Sequence, residues 1–228
     1  NIAVGAGAYD SSDTENDNLA IGFDAMSTNT AGGEKNVALG NYALDALTSG
    51  DFNVAVGYDV LTANTTGYGN TAVGESTMLA NTEGYYNTAT GRLALQANTT
   101  GDFNTANGYR SLYTNTTANN NTAFGAYALN LNTTGADAVA VGFEALLANT
   151  TGANNVGIGY RALKHNTTAG NNIAVGFEAL TTNVTGTANV GVGFQALKLN
   201  TASNNTAFGD QSMETNTSGA GNTAVGQT

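Results

Sequence analysis

A glycine returns every 17 residues through most of this chain, in an unbroken series from Gly40 to Gly193 that lies within a longer one running from Gly5 to Gly226. The interval changes twice, to 18 between Gly22 and Gly40 and to 16 between Gly193 and Gly209. Both changes fall in the polar stretch, where a one-residue indel does least harm. Around this glycine the consensus is Asn-[Val/Thr/Ile]-Ala-[Val/Ile]-Gly-[Tyr/Phe]-x-Ala-Leu-x-x-Asn-Thr-Thr-Gly-x-x. One such repeat is too short to bury a core alone, so neighbouring copies must supply it. A chain written this way has to stack.

Each column carries a physical reading when positions are counted from the glycine as zero. Position −2 is Ala in 12 of 14 repeats and Gly in the other two, Gly157 and Gly191, so nothing larger fits there. Position −3 is β-branched or Leu throughout, which suits a strand. Position +4 is Leu or Met in 12 of 13 complete repeats, Tyr9 being the exception. The remaining Asn-Thr-Thr-Gly is turn chemistry, and the frequent Gly and β-branched residues argue against a helix. Each repeat then reads as strand, Gly bend, short second strand and polar turn. The expected fold is all-β: a parallel β-solenoid of about 13 coils with a 17-residue repeat, continuous over residues 1–228 as a single domain. Asn53, Asn70, Asn87, Asn104 and Asn121 fall in one column and are expected to hydrogen-bond amide to amide.

Composition agrees with an array better than with a globule: 30 Gly, no Pro, Cys or Trp, and only 10% charged residues. The net charge is −11 with six Lys and Arg in all, which excludes a nucleic-acid partner. No apolar run approaches the ~20 residues needed to cross a bilayer, so no membrane insertion is expected. With no Cys, disulfides and thiol chemistry are excluded. The chain opens in mid-motif, which reads as a piece of a longer fibre.

In "NVAVG" at 53–57, Val54 and Val56 point one way and Ala55 the other, and in "EALL" at 144–147 Ala145 and Leu146 are likewise expected to oppose. Both segments are then apolar on both faces, the pattern of a sheet covered on two sides. Symmetric association of identical chains supplies the second cover. The expected partner is the chain itself, as a homotrimer or as a filament joined end to end.

The stretches "NTAVGESTMLANTEGYYNTATG" and "NNTAFGAYALNLNTTG" resemble the Asn-Thr-Ala-Val-Gly repeats of phage tail-fibre proteins. They are also similar to the shorter Ser-Val-Ala-Ile-Gly repeats in the heads of YadA-like trimeric autotransporter adhesins. The resemblance covers essentially the whole chain. It implies a homotrimeric, left-handed parallel β-roll outside a virion or cell, serving as a structural or adhesive fibre segment for host attachment. The 17-residue period departs from the shorter one of the adhesins.

No catalytic set stands out, and no enzyme activity or cofactor is expected. His165, the sole His, sits in a turn column. Asp10, Asp13, Glu15 and Asp17 form an oxygen-rich stretch that offers calcium ligands without EF-hand spacing, and a solvated acidic turn is the preferred reading. Phe143, Tyr160, Phe177 and Phe194 occupy position +1 in consecutive repeats and are candidate contacts for a cell-surface glycan, set against mutual stacking. Thr88, Thr90, Thr105 and Asn107 interrupt the Val columns and are candidates for a polar trimer axis, set against a Thr-tolerant strand face. Asn-x-Ser/Thr sequons recur with the turns, where Asn and Thr are needed in any case.

Overall fold

The computed structural model describes residues 1–10, 17–28 and 32–227. They form two compact units, Asn1–Ala118 and Asn119–Thr228. The first holds β1 (Ile2–Val4), β2 (Leu19–Ile21), β3 (Val37–Leu39), β4 (Val54–Val56), β5 (Thr71–Val73), β6 (Thr88–Thr90) and β7 (Thr105–Asn107). The second holds β8 (Thr122–Phe124), β9 (Val139–Val141), β10 (Val156–Ile158), β11 (Ile173–Val175), β12 (Val190–Val192), β13 (Thr206–Phe208) and β14 (Thr223–Val225). Within each unit consecutive strands pair in parallel with like residues opposite one another, as in Val37↔Val54 and Val156↔Ile173. The fold is a parallel β-solenoid of about 13 turns at 17-residue spacing, with no helix among the described residues.

Every strand is three residues long, and alternation decides its faces. The central Ala points inward and is fully buried in β2 to β6, while the Val, Ile, Leu or Thr on either side faces out. Where Gly replaces that Ala, at Gly157, a Cβ would lie 3.2 Å from Leu146 Cγ, so even the inward methyl group fits closely. The outward face is exposed on the single chain, Val141 by 37% and Ile158 by 38%.

The expected second strand is absent. Residues 58–63 and their equivalents form a continuous turn in which left- and right-handed dihedrals alternate: Gly57 has φ 137°, Asp59 54° and Leu61 51°. Strand alternation therefore does not govern this segment. Ala145 and Leu146, expected to oppose, are both fully buried. The expected alternation between two faces is present in the strand and absent from the second segment. Coil-to-coil hydrogen bonding nevertheless continues through the turn, with Leu61 N donating to Thr77 O at 3.2 Å and Ala63 N to Leu79 O at 3.1 Å.

These dihedrals explain a choice of residue that hydrophobicity alone leaves open. Among the described non-glycine residues with positive φ there is no Val, Ile or Thr, although Thr is abundant in the chain. A β-branched side chain is the least tolerant of the left-handed region. Position +4 is thus restricted to Leu, Met and Tyr9 by its backbone as well as by its volume. Leu146→Ile keeps the volume and is expected to cost about 2–3 kcal/mol, against less than ~1.5 for an ordinary volume-conserving core swap. Urea denaturation of the two variants Leu146→Ile and Leu146→Met separates the causes, since only Met keeps an unbranched Cβ.

Two columns of asparagine run inside the coils. At position −4, the side-chain oxygen accepts a backbone N–H from the next coil: Asn53 N donates to Asn36 Oδ1 at 2.8 Å and Asn70 N to Asn53 Oδ1 at 3.0 Å. At position +7 the bonding is amide to amide, with Asn81 Nδ2 to Asn64 Oδ1 at 2.7 Å and Asn166 Nδ2 to Asn149 Oδ1 at 2.9 Å. The columns meet at the carbonyl of position +10: Gly67 O accepts from Asn53 Nδ2 and Asn64 Nδ2, both at 2.9 Å. The amide ladder expected in the −4 column is therefore the chief bond of the +7 column, which sequence assigns to the turn. In the −4 column the side-chain amides approach one another at 3.2–3.3 Å, at Asn70, Asn87, Asn189 and Asn222.

The 16-residue coil breaks this ladder. Asn200 Nδ2 donates to Ala202 O at 2.7 Å, and Asn183 Oδ1 is buried with no hydrogen-bond partner. A buried acceptor left in this way costs about 1–3 kcal/mol. Inserting one Thr between Thr201 and Ala202 recreates the Asn-Thr-Thr-Ala found at 166–169 and should raise the stability of the second unit by about that amount. An unchanged or lower denaturation midpoint would show that the shortened coil is not under this penalty.

Candidate functional surfaces

The residue after each glycine turns outward at the end of the strand. In the second unit this places Phe143, Tyr160, Phe177 and Phe194 in one column, with successive centroids 5.7, 5.0 and 5.3 Å apart and interplanar angles of 11–14°. Tyr127 meets Phe143 edge-on at 6.0 Å. The rings stack face to face, so what they turn to solvent is chiefly their edges. All four are exposed, by 36–46%.

The polar interruption lies in the first unit on the outward face of β6 and β7. Thr88 pairs with Thr105 and Thr90 with Asn107, so the four candidate axis residues do form one contiguous patch. Thr88, Thr90 and Asn107 are exposed and Thr105 half-buried. Of the acidic stretch, Asp10 and Asp17 are exposed, while Asp13 and Glu15 lie outside the described residues. Among the described residues no group of three or more His, Cys, Asp or Glu is placed to hold a metal. His165 is exposed on a turn, its backbone N–H bound to Thr181 O at 3.1 Å. The sequon asparagines Asn64, Asn98, Asn132, Asn149, Asn166 and Asn183 are fully buried core residues of the amide ladder.

A chain of ion pairs borders the aromatic column. Glu144 accepts from Arg161 Nε at 2.7 Å and Lys164 Nζ at 2.8 Å, and Glu178 from Lys198 Nζ at 3.0 Å and Gln195 Nε2 at 3.0 Å. Burial pushes the Glu144 carboxyl up, but the hydrogen bonds and charges of Lys164 and Arg161 outweigh it and hold it below its ordinary value. Lys198 does the same for Glu178, against burial. A carboxylate whose pKa is lowered on folding stabilises above its unfolded value, and the contribution is lost as pH falls through the folded one. The second unit should therefore lose stability on acidification below the ordinary glutamate value of 4.5, and Glu144→Gln should flatten that slope. Asp59 behaves oppositely, because burial, then Asp45 and Glu75, raise its pKa and make its charge a cost at neutral pH. Thermal melts of the Glu144 and Asp59 variants between neutral and acid pH check both signs.

One surface escapes a repeat-by-repeat reading. Positions −6 and −5 of the first unit bring Tyr68, Tyr85, Tyr86 and Phe103 into a cluster, Tyr68 on Tyr85 at 5.0 Å and Tyr86 against Phe103 at 5.6 Å. Tyr86 lies across Gly69, where a Cβ would come within 2.7 Å of its ring. Tyr86 and Phe103 are exposed by 53% and 52%. The signal was available in the dipeptides Asp51-Phe52, Tyr85-Tyr86 and Asp102-Phe103, each just before the buried Asn.

Among the described residues no helix is long and apolar enough to cross a membrane. Compared with protein-family models and with curated protein sequences, the chain matches none, so the fold and these surfaces are what its function has to be argued from.

Proposed function

We propose that the chain is a structural segment of an extracellular fibre, a stiff spacer of the phage tail-fibre or adhesin-shaft type, wound as a left-handed β-roll and working as a homotrimer. The asparagine framework carries this reading. In each unit coil is tied to coil by buried amides as well as by backbone hydrogen bonds, which leaves little to open locally under load or to a protease. The exposed apolar strand face favours association of copies. The placement outside a virion or cell rests on the resemblance of the repeats.

Native mass by analytical ultracentrifugation, with electron microscopy and limited proteolysis of the same sample, tests it. A protease-resistant species of three chains is expected. A resistant monomer would overturn the trimer and leave the spacer. Rapid cleavage within the coils would overturn the spacer. Open-ended polymers would make the filament itself the function.

A second reading, contact with a glycan, is favoured by the exposed cluster at Tyr68, Tyr85, Tyr86 and Phe103, where rings, hydroxyls and the carboxylate of Asp102 lie together. In the column from Phe143 to Phe194 the ring faces are already engaged with each other. Sugar-dependent tyrosine fluorescence that survives Phe177→Ala and is lost in Tyr86→Ala would favour the cluster.

A further inference from the structure

The outward face of β9 to β12 differs from that of β5 to β7 in a way that points to where copies meet. Position −1 of β8 to β13 reads Phe124, Val141, Ile158, Val175, Val192 and Phe208, apolar without a break. Across β9 to β12 position −3 is Val or Ile as well, and position +1 is the aromatic column. Three adjacent outward columns are thus apolar over four successive coils, the Tyr160 hydroxyl being their single polar group. Seven of the nine equivalent positions on β5 to β7 are polar or charged, Val73 and Tyr109 being the exceptions. Every residue of the apolar grid is half-buried or exposed, Ile173 by 40% and Phe177 by 42%.

We infer that this grid is a docking surface and that its occupant is the same grid on a second copy of the chain. Three observations favour a copy over another partner. The grid is periodic, one row per coil at ~4.8 Å, and a second copy presents apolar rows at the same spacing. Self-repulsion is weakest here: residues 119–228 hold five acids and three bases, net −2, whereas 1–118 hold twelve acids and three bases, net −9. The grid's border carries both signs, Glu144, Arg161, Lys164, Glu178 and Lys198, as a self-complementary rim requires. Four coils by about five residues give a footprint of roughly 300 Å². That is the apolar centre of a standard contact of ~800 Å² per partner, with the charged border completing it.

This inference rests on the associated-fibre reading and adds a location: the grid from β9 to β12, with the Thr- and Asn-bearing face of β6 and β7 left to solvent. Sedimentation of the full chain tests it with Ile158→Lys and Thr90→Lys, both on the outward face of a strand. The expected result is a wild-type mass above the 23.0 kDa of one chain, a fall to one chain for Ile158→Lys, and no change for Thr90→Lys. If the wild type associates and only Thr90→Lys dissociates it, the grid is wrong while the associated fibre stands. A wild type that sediments as one chain at all concentrations overturns both. Because the chain has no Cys, Val175→Cys supplies a readout that does not depend on a charged variant folding. Oxidation should join copies through residue 175 and leave Thr90→Cys unlinked, and the reverse pattern overturns the grid.

Discussion

Gly159→Ala should destabilise the second unit by on the order of 4 kcal/mol, from left-handed strain and steric overlap together. Gly159 has a φ of +129°, and a Cβ placed on it would lie 2.4 Å from Gly176 O and 2.7 Å from Gly176 C. Those are backbone atoms of the next coil, which move only if the parallel ladder moves with them. The fitting comparison is Gly157→Ala, two residues away. Its nearest contacts are at 3.2 Å, its φ is not left-handed, and most coils carry Ala there. It should change stability by no more than about 1 kcal/mol. Denaturant midpoints of the two single-methyl variants measure the difference, and equal losses would show that the anchor is not restricted by its backbone.

Asn149→Leu is expected to be as costly, although the two side chains are of similar size. Asn149 Nδ2 donates to Asn132 Oδ1 and Gly152 O, both at 2.9 Å, and Asn149 Oδ1 accepts from Asn166 Nδ2 at 2.9 Å. Leu removes these three bonds and the longer one from Asn155 Nδ2 to Asn149 Oδ1 at 3.4 Å, in a site with no access to water. In this coil Gly152 O depends on Asn149, because Ala138 stands where other coils have the second asparagine. At ~1–3 kcal/mol for each buried group left unpaired, a loss of about 4 kcal/mol or more follows. A melt of Asn149→Leu within about 1 kcal/mol of wild type would mean that the amide column contributes register rather than stability.

The coil length, the strand and its inward Ala could be read from the sequence because each is a periodic property of side-chain size and branching. The second segment was misread for a physical reason. Ala145-Leu146 looks like alternation, and hydrophobicity does not report the sign of φ. The informative sign was an absence, that of β-branched residues at +2, +4 and −5 in a Thr-rich chain. Asn64 and its equivalents were assigned to the turn because an asparagine that caps a turn and one that bonds through a core have the same neighbours in sequence. The aromatic column was visible by position. Mutual stacking was one of its two readings, and only the face-to-face orientation was out of reach, since it depends on the coil pitch and the dihedrals of position +1.

The break at Asn183 has a consequence for how such a chain finds its partner coils. In an array of near-identical repeats, pairing displaced by one whole coil reproduces almost every contact, so native and slipped arrangements differ by little free energy. What distinguishes them is whatever does not repeat. A 16-residue coil that offers no donor to the ladder, Ala138 in an asparagine column, and the pairing of Glu144 with Arg161 and Lys164 each fit only one neighbour. The irregularities that weaken individual coils thereby act as address marks along a degenerate tract. Making every coil ideal would yield a chain harder to denature and slower to settle into one alignment.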